Sequence, residues 1–190
     1  MSTAPLARFG GLWGTGLADV TADVSALASH GRWAVAIPYS GEPVCARFET
    51  WTPQRPSGAV GTWVGPTTDA WTSSLDEAAY VAGVEAIRSQ IAAGSVYQAN
   101  MCRVMSATLP DPGRADVAAL GLLLEHHNPA PFAGTLRLPG HGVHVATASP
   151  ELFLSVETTA AGRVVRSGPI KGTARDASGL DVVRVPGLER

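Results

Sequence analysis

The spacing of apolar and polar residues changes several times along the chain, and its clearest period is helical. Over residues 75–93, apolar side chains recur at the spacing of one helix face. The members of this stripe are Tyr80, Val84, Ile87 and Ile91. Ser74 and Glu77 have the spacing of a capping box, and Gly94 is a typical helix stop. We therefore predict a helix over 75–93 with its apolar stripe in the core.

Two further segments have helical spacing. Residues 115–127 contain a run of leucines and valine, and the prolines of residues 128–131 end the helix that this run predicts. A shorter helix is predicted over residues 19–29.

Short apolar runs between turn residues predict strands in the first and last thirds of the chain. In the first third they are residues 32–37 and 44–48, with a turn over 39–43. In the last third four antiparallel strands are predicted, at residues 132–138, 142–148, 153–157 and 163–166. The pattern thus predicts the α+β class, with antiparallel sheets and flanking helices.

Residues 96–109 alternate with a period of two, which predicts one more strand. Gln98 and Asn100 fall on one face of that strand, and mostly apolar residues fall on the other. Such a strand suits the wall of a polar cavity, and an ordinary surface face is the alternative.

The last predicted hairpin carries candidate chemistry at its base. Glu151 precedes its first strand, and Lys171 follows its second. Because antiparallel strands bring distant residues together, we expect these two side chains to lie close to each other.

Lys171 lies between Pro169 and Gly172, with Arg166 and Arg175 nearby. A stiff turn near other cations disfavours the charged ammonium, so we expect the pKa of Lys171 to fall. The neutral amine is a nucleophile. A solvated turn lysine is the alternative.

Four sequence blocks resemble aminodeoxychorismate synthase component I, one of the chorismate-utilising enzymes. They are Gly94-Ser95-Val96-Tyr97-Gln98-Ala99-Asn100-Met101, Asn128-Pro129-Ala130-Pro131-Phe132, Ala148-Ser149-Pro150-Glu151-Leu152-Phe153-Leu154 and Pro169-Ile170-Lys171-Gly172-Thr173. They occur in the family's order and cover residues 74–175, whereas residues 1–73 resemble its variable N-terminal region loosely.

The resemblance implies the N-terminal part of the chorismate-binding, anthranilate synthase component I-like fold. Its divisions are a β-rich region over 1–73, a partial catalytic region over 74–175 and a tail without resemblance over 176–190.

The resemblance also implies a reaction. Chorismate and ammonia, the latter from a glutamine amidotransferase subunit, form 4-amino-4-deoxychorismate, the precursor of 4-aminobenzoate in folate biosynthesis. Lys171 is the nucleophile that attacks C2 of chorismate, and Glu151 is the acid that protonates the departing C4 hydroxyl. Thr173, Gln98 and Ser149 are the implied substrate contacts.

Three departures from the family qualify these expectations. Leu152 stands where arginine is usual, and the spacing between Glu151 and Lys171 is longer than usual. We expect the extra length in a loop over residues 158–162. The family also continues far beyond the lysine motif, with the acidic ligands of Mg²⁺, so we assign no metal ligand in this chain. We expect the 190-residue chain to be a truncated form, unstable or inactive when alone.

Two alternatives stay open. One is anthranilate synthase component I or another enzyme of the same fold, although alanine usually replaces the lysine in anthranilate synthases. The other is a remnant or a binding module that recruits the amidotransferase without turnover.

Composition narrows the class of protein. A chain with 45% hydrophobic and 16% charged residues is typical of a globular domain. A net charge of −2 does not favour nucleic acid or an anionic membrane as a partner. Cys45 and Cys102 lack metal-ligand spacing, the N-terminus does not resemble a signal peptide, and the longest apolar run, residues 117–124, is too short to span a bilayer. We therefore expect a cytoplasmic protein with reduced cysteines.

The five tryptophans all lie in the first part of the chain, at Trp13, Trp33, Trp51, Trp63 and Trp71. They predict packing of a small sheet. An aromatic ligand pocket is the alternative, since relatives carry a tryptophan site in their N-terminal region.

Overall fold

The computed structural model describes residues 4–159 and 162–170. Contacts divide the chain into two compact units. The first, which we call the scaffold, contains the residues up to Trp63 and those from Asp116 onward. The second, which we call the inserted segment, is Val64–Ala115. These units do not test the predicted domain boundaries, which stay a prediction.

The described residues form the antiparallel α+β fold that the sequence predicts. The strands are β1 Leu6–Phe9, β2 Leu12–Thr21, β3 Arg32–Ala36, β4 Val44–Thr52, β5 Thr72–Ser73, β6 Met105–Ser106, β7 Phe132–Leu138, β8 Val143–Ser149, β9 Leu152–Thr159 and β10 Gly162–Gly168. The helices are α1 Glu77–Ala92 and α2 Val117–His127, with short 3₁₀ turns at Val24–Ala28, Thr68–Ala70, Pro112–Arg114 and Pro139–His141.

Six strands of the scaffold form one antiparallel sheet in the order β3-β4-β2-β1-β7-β8. The sheet curls, because Ala34 and Ala46 from one end share a buried cluster with Leu136 and Leu138 from near the other. The curl buries Phe48, whose side chain is only 2% exposed. The main core of the chain therefore lies inside the curl.

Two aromatic rings cover glycines on neighbouring strands inside this core. Trp51 lies opposite Gly14 in the register of β2 and β4, and a Cβ at Gly14 would lie 3.0 Å from the indole ring. Phe9 lies opposite Gly134 in the same way. Because glycine leaves space above the backbone, each ring can approach the glycine on the neighbouring strand closely.

A buried ion pair lies on the face of the sheet opposite the curled core, where α2 packs. Arg137 of β7 donates from Nη1 to both carboxylate oxygens of Asp116, each at 2.7 Å, and both side chains are at most 3% exposed. The same carboxylate accepts the N–H of Ala118 at 2.9 Å and caps α2. Burial raises the pKa of Asp116, but hydrogen bonds from Gly61 N–H, Arg137 and Ala118 N–H outweigh burial and hold that pKa below its usual value.

The inserted segment contains α1 and the short ladder of β5 with β6. The helix begins later than predicted, because Asp76 rather than Ser74 accepts the cap hydrogen bond, from Ala79 N–H at 2.7 Å. The Ser74 hydroxyl instead accepts the N–H of Val104 at 2.9 Å. Gly94 follows the helix with φ of 72°, as its predicted role as a helix stop requires.

Two predictions for the inserted segment are wrong. The stripe of α1 is not buried in the core, since Tyr80 and Ile91 are exposed and Val84 and Ile87 are only half-buried. Of the strand predicted over 96–109, only β6 forms. Residues 96–104 have no strand pairing in the described structure, so the alternation there does not create a polar face.

Two predictions for the scaffold also need correction. The helix predicted over residues 19–29 is replaced by the end of β2 and a 3₁₀ turn, Val24–Ala28, which Asp23 caps. The loop predicted over 158–162 is shorter, because Thr158 pairs with Arg163 and Thr159 pairs with Gly162. The extra length thus lengthens the β9–β10 ladder.

The tryptophans divide between packing and exposure. Trp13 is buried against Leu6 and Ala118, as sheet packing predicts, and Trp71 is 46% exposed.

Cys45 is buried, Cys102 is exposed, and both are free thiols. In the described part of the chain, none of the helices has the length and apolar character needed to cross a membrane.

Candidate functional site

Three of the five predicted site residues lie in the described structure. They are Glu151, Ser149 and Gln98. Lys171 and Thr173 lie outside the described residues, so the roles predicted for them stay predictions.

The junction between β8 and β9 positions the predicted acid. Ser149 is the last residue of β8 and pairs with Phe132 at the start of β7. Its hydroxyl donates to the carbonyl oxygen of Glu151 at 3.1 Å. This local turn fixes the backbone of Glu151, whose side chain is exposed at the base of the β9–β10 hairpin.

The register of the β9–β10 hairpin places the residues that precede Lys171 beside Glu151. Gly168, the last residue of β10, pairs with Leu152, which follows Glu151 directly. Pairing therefore places the chain three positions before the lysine next to the position after the acid. This is the local geometry on which the prediction of a Glu151–Lys171 pair depends.

A β-bulge lies between this last pair and the rest of the ladder. Arg166 pairs with Ser155 and Gly168 pairs with Leu152, so β9 has one residue more than β10 over this stretch. Bulges bend a strand and redirect the side chains beyond them. The bulge therefore sets how the Glu151 end of the hairpin is turned relative to its tip.

Arg166 has an acidic neighbour that the sequence pattern did not reveal. Its guanidinium donates to the carboxylate of Glu157, which lies diagonally across the hairpin, and both side chains are about half exposed. An exposed pair contributes little to stability, but the two charges offset each other. The expected effect of Arg166 on the pKa of Lys171 is therefore weakened, and Arg175 lies outside the described residues.

Gln98 is the predicted contact that lies on the inserted segment. It is exposed and lies outside any strand, between α1 and β6. It does not share a strand face with Asn100, because neither residue lies in a strand. Its place as a substrate contact depends on the sequence resemblance alone.

We tested whether the described residues fit a Mg²⁺ ion. Nowhere in residues 4–159 and 162–170 do three His, Cys, Asp or Glu side chains come together in a way that could hold a metal. Mg²⁺ prefers several oxygen ligands, so the described residues do not fit this ion.

The scaffold also has a cavity of about 490 Å³ that sequence reasoning did not find. It lies between the two edge strands, β3 and β8, where the curl brings them towards each other. Residues that line it include Val35, Pro38, Val44, Leu136, Val143 and Thr147. No local pattern indicates this cavity, because it depends on the curl of the whole sheet.

Comparison with known proteins identifies a family for this chain. The model of the family described as chorismate binding enzyme matches residues 52–181, which include the inserted segment, the hairpin and the Lys171 motif. The chain belongs to this family of chorismate binding enzymes.

Curated relatives support the same assignment. The chain is 41% identical over 106 residues to anthranilate synthase component 1 of Streptomyces coelicolor, a match that covers 56% of this chain and 19% of that protein. It is 33% identical over 104 residues to anthranilate synthase component 1 of Geobacillus stearothermophilus, covering 55% of this chain and 18% of the relative. The protein of the same name from Bacillus caldotenax is 35% identical over 103 residues, covering 54% and 18%.

The matched region is therefore less than a fifth of the length of these relatives. No solved structure matches the chain.

Proposed function

We propose that this chain is part of a chorismate-aminating transferase of the aminodeoxychorismate synthase component I kind, which forms 4-amino-4-deoxychorismate. The observation that carries the proposal is Lys171 within the Pro169–Thr173 motif. Lys171 is also the only lysine in the sequence, so an amine nucleophile has one possible side chain. The pairing of Gly168 with Leu152 supports the approach of Lys171 to Glu151.

The proposed reaction has two displacement steps. The neutral Nζ of Lys171 attacks C2 of chorismate, the ring double bonds shift, and the C4–O bond breaks. Glu151 gives its proton to the departing hydroxyl, which leaves as water. Ammonia then forms the C4–N bond and gives one proton back to the Glu151 carboxylate. The C2–N bond to lysine breaks, and its electron pair returns to Nζ, which restores the neutral amine. Two allylic steps through a covalent intermediate replace one difficult displacement.

Glu151 can act as the acid only if its carboxyl is protonated when chorismate is bound. In the described structure this side chain is exposed at the base of the hairpin. A bound ligand that excludes water would raise the pKa of such a carboxyl, because burial disfavours its charged form. Ser149 supports this role by holding the backbone of Glu151 through its carbonyl oxygen.

The remaining parts of the proposal come from the resemblance. Thr173 and Gln98 would contact the substrate, and a glutamine amidotransferase subunit would supply the ammonia. The complete enzyme would require Mg²⁺, with ligands outside the described residues. It would act in the cytoplasm.

A second candidate is the synthesis of anthranilate from the same substrate. Its support is that the three relatives above are all anthranilate synthase component 1. The lysine of the motif favours the 4-amino product, because a lysine at C2 blocks the position at which anthranilate synthesis adds its nitrogen.

Product analysis separates the candidates. The chain is incubated with chorismate, ammonium sulfate and Mg²⁺, with and without an amidotransferase subunit, and the products are resolved by liquid chromatography and mass spectrometry. We expect 4-amino-4-deoxychorismate from the wild type and none from Lys171→Ala. Anthranilate as the product would favour the second candidate, and unchanged turnover by Lys171→Ala would refute the lysine mechanism.

Covalent chemistry at the single lysine gives a test that does not require turnover. Chorismate without ammonia should leave a mass adduct on the peptide that contains Lys171, and Lys171→Arg is the matched control. Absence of both adduct and product, together with binding to an amidotransferase, would favour the binding-module alternative.

A further inference from the structure

The chain passes twice between the scaffold and the inserted segment, and the two crossings are neighbours. Asp116 N–H donates to the carbonyl of Thr62 at 3.0 Å, and Val64 N–H donates to the carbonyl of Arg114 at 2.8 Å. These two bonds hold the incoming segment, residues 61–64, beside the outgoing segment, residues 114–116. We call these two chain segments, residues 61–64 and 114–116, the neck.

The buried Asp116–Arg137 pair binds both segments of the neck. Asp116 belongs to the outgoing segment, and its carboxylate accepts Gly61 N–H of the incoming segment at 2.6 Å. Arg137 donates from Nη2 to the carbonyl of Ala59 at 2.8 Å and from Nε to that of Ala4 at 3.0 Å. One buried pair thus binds both segments of the neck and the backbone of Ala4 to β7.

The two buried hydrophobic clusters of the described structure are made of scaffold residues. The partly buried side chains that pack against them also belong to the scaffold. Every residue of Val64–Ala115 is exposed or only half-buried. Because burial supplies most of the folding free energy, we expect the inserted segment to open with a smaller free energy than the scaffold.

We propose that the Asp116–Arg137 pair is a clasp that closes the neck, so that the inserted segment opens as a unit separate from the scaffold. When the inserted segment opens, the structure around Gln98 is lost. The six-stranded sheet, whose last strand β8 leads to Glu151, stays folded. This proposal does not depend on the reaction proposed above.

Amide hydrogen exchange of the full 190-residue chain tests the clasp. Asp116→Asn removes the charge but keeps a side-chain oxygen suited to capping α2. We expect the amides of residues 61, 64 and 116 to exchange at least roughly tenfold faster, which corresponds to about 1.4 kcal/mol. The amides of Ala46 and Phe48 in β4 should change much less.

Glu125→Gln is the matched control for loss of an acidic group near α2. Glu125 makes an ion pair of 2.6 Å with Arg8 at the scaffold surface. We expect wild-type exchange at residues 61, 64 and 116 in this variant. Equal acceleration of neck and β4 amides by Asp116→Asn, or no acceleration at the neck, would overturn the proposal.

A variant within the inserted segment keeps the proposal testable if Asp116→Asn fails to fold. Ala86→Pro interrupts the middle of α1, where proline removes a helix hydrogen bond. We expect the α1 amides to lose their protection while those of Ala46 and Phe48 retain theirs. Loss of protection in β4 by the same factor would show one cooperative unit and would overturn the proposal.

Discussion

Truncation of Phe48 should destabilise the scaffold far more than truncation of Phe153. Phe48 is 2% exposed inside the curl, and its ring meets Trp51 edge-on at 5.8 Å and 81°. Removing a buried phenylalanine side chain costs about 3–5 kcal/mol. An aromatic pair of this geometry accounts for about 0.5–1.5 kcal/mol of such a loss. Phe153 is 90% exposed, so its truncation should change the free energy of unfolding by less than about 0.5 kcal/mol.

Thermal unfolding followed by circular dichroism measures the difference. For a chain of this size, each kcal/mol shifts Tm by about 2–4 °C. Phe48→Ala should therefore lower Tm by roughly 6–20 °C, or prevent folding, whereas Phe153→Ala should leave Tm within about 2 °C of the wild type. Phe48→Leu, which retains most of the apolar volume, should fall between the two. Equal shifts for Phe48→Ala and Phe153→Ala would refute the placement of the core inside the curled sheet.

Three further predictions concern local features. Since the pKa of folded Asp116 lies below its unfolded value of about 3.9, its contribution to stability is complete above that pH and is lost as the pH falls through the folded pKa. Urea titrations at pH 7 and pH 3 should show a smaller decrease in Asp116→Asn than in the wild type. Gly121→Ala should lower the free energy of unfolding, measured by urea titration, by about 1–3 kcal/mol, because a Cβ there would overlap the hydroxyl of Thr135. Adding Thr135→Val should not restore it, because valine has a methyl group in place of that hydroxyl. Asp76→Ala should reduce α1 amide protection by about 0.5–2 kcal/mol, whereas Ser74→Ala should affect the residue 104 amide instead; the reverse pattern would contradict the observed cap.

Where local signals agree with tertiary packing, the sequence predicted the structure well. Residues 115–127 form α2 nearly as expected, because their apolar face packs on β7 and β8 while the prolines after residue 128 stop the helix. The strand predicted at 132–138 is β7 with the same bounds. The final hairpin forms with Glu151 at its base, and it is longer at both ends than predicted.

The failures occur where two local signals compete. Asp19 and Val20 have helical spacing with later residues, but pairing of β2 with β4 holds them in a strand. Ser74 and Asp76 are both good caps, and backbone pairing with residue 104 engages Ser74, which leaves Asp76 to cap α1. Residues 96–104 alternate like a strand but find no partner strand among the described residues.

The sequence by itself determined the α+β class, the two helices, the last hairpin and the motifs that point to chorismate. These depend on periodicity and on short runs of residues, which act over a few positions of the chain. Only the tertiary structure decided the curl of the sheet, the cavity between its edges, the Glu157–Arg166 pair and the clasp formed by Asp116 and Arg137. Each of these joins residues through strand register or through packing across the sheet, and neither is encoded in the spacing of neighbouring side chains.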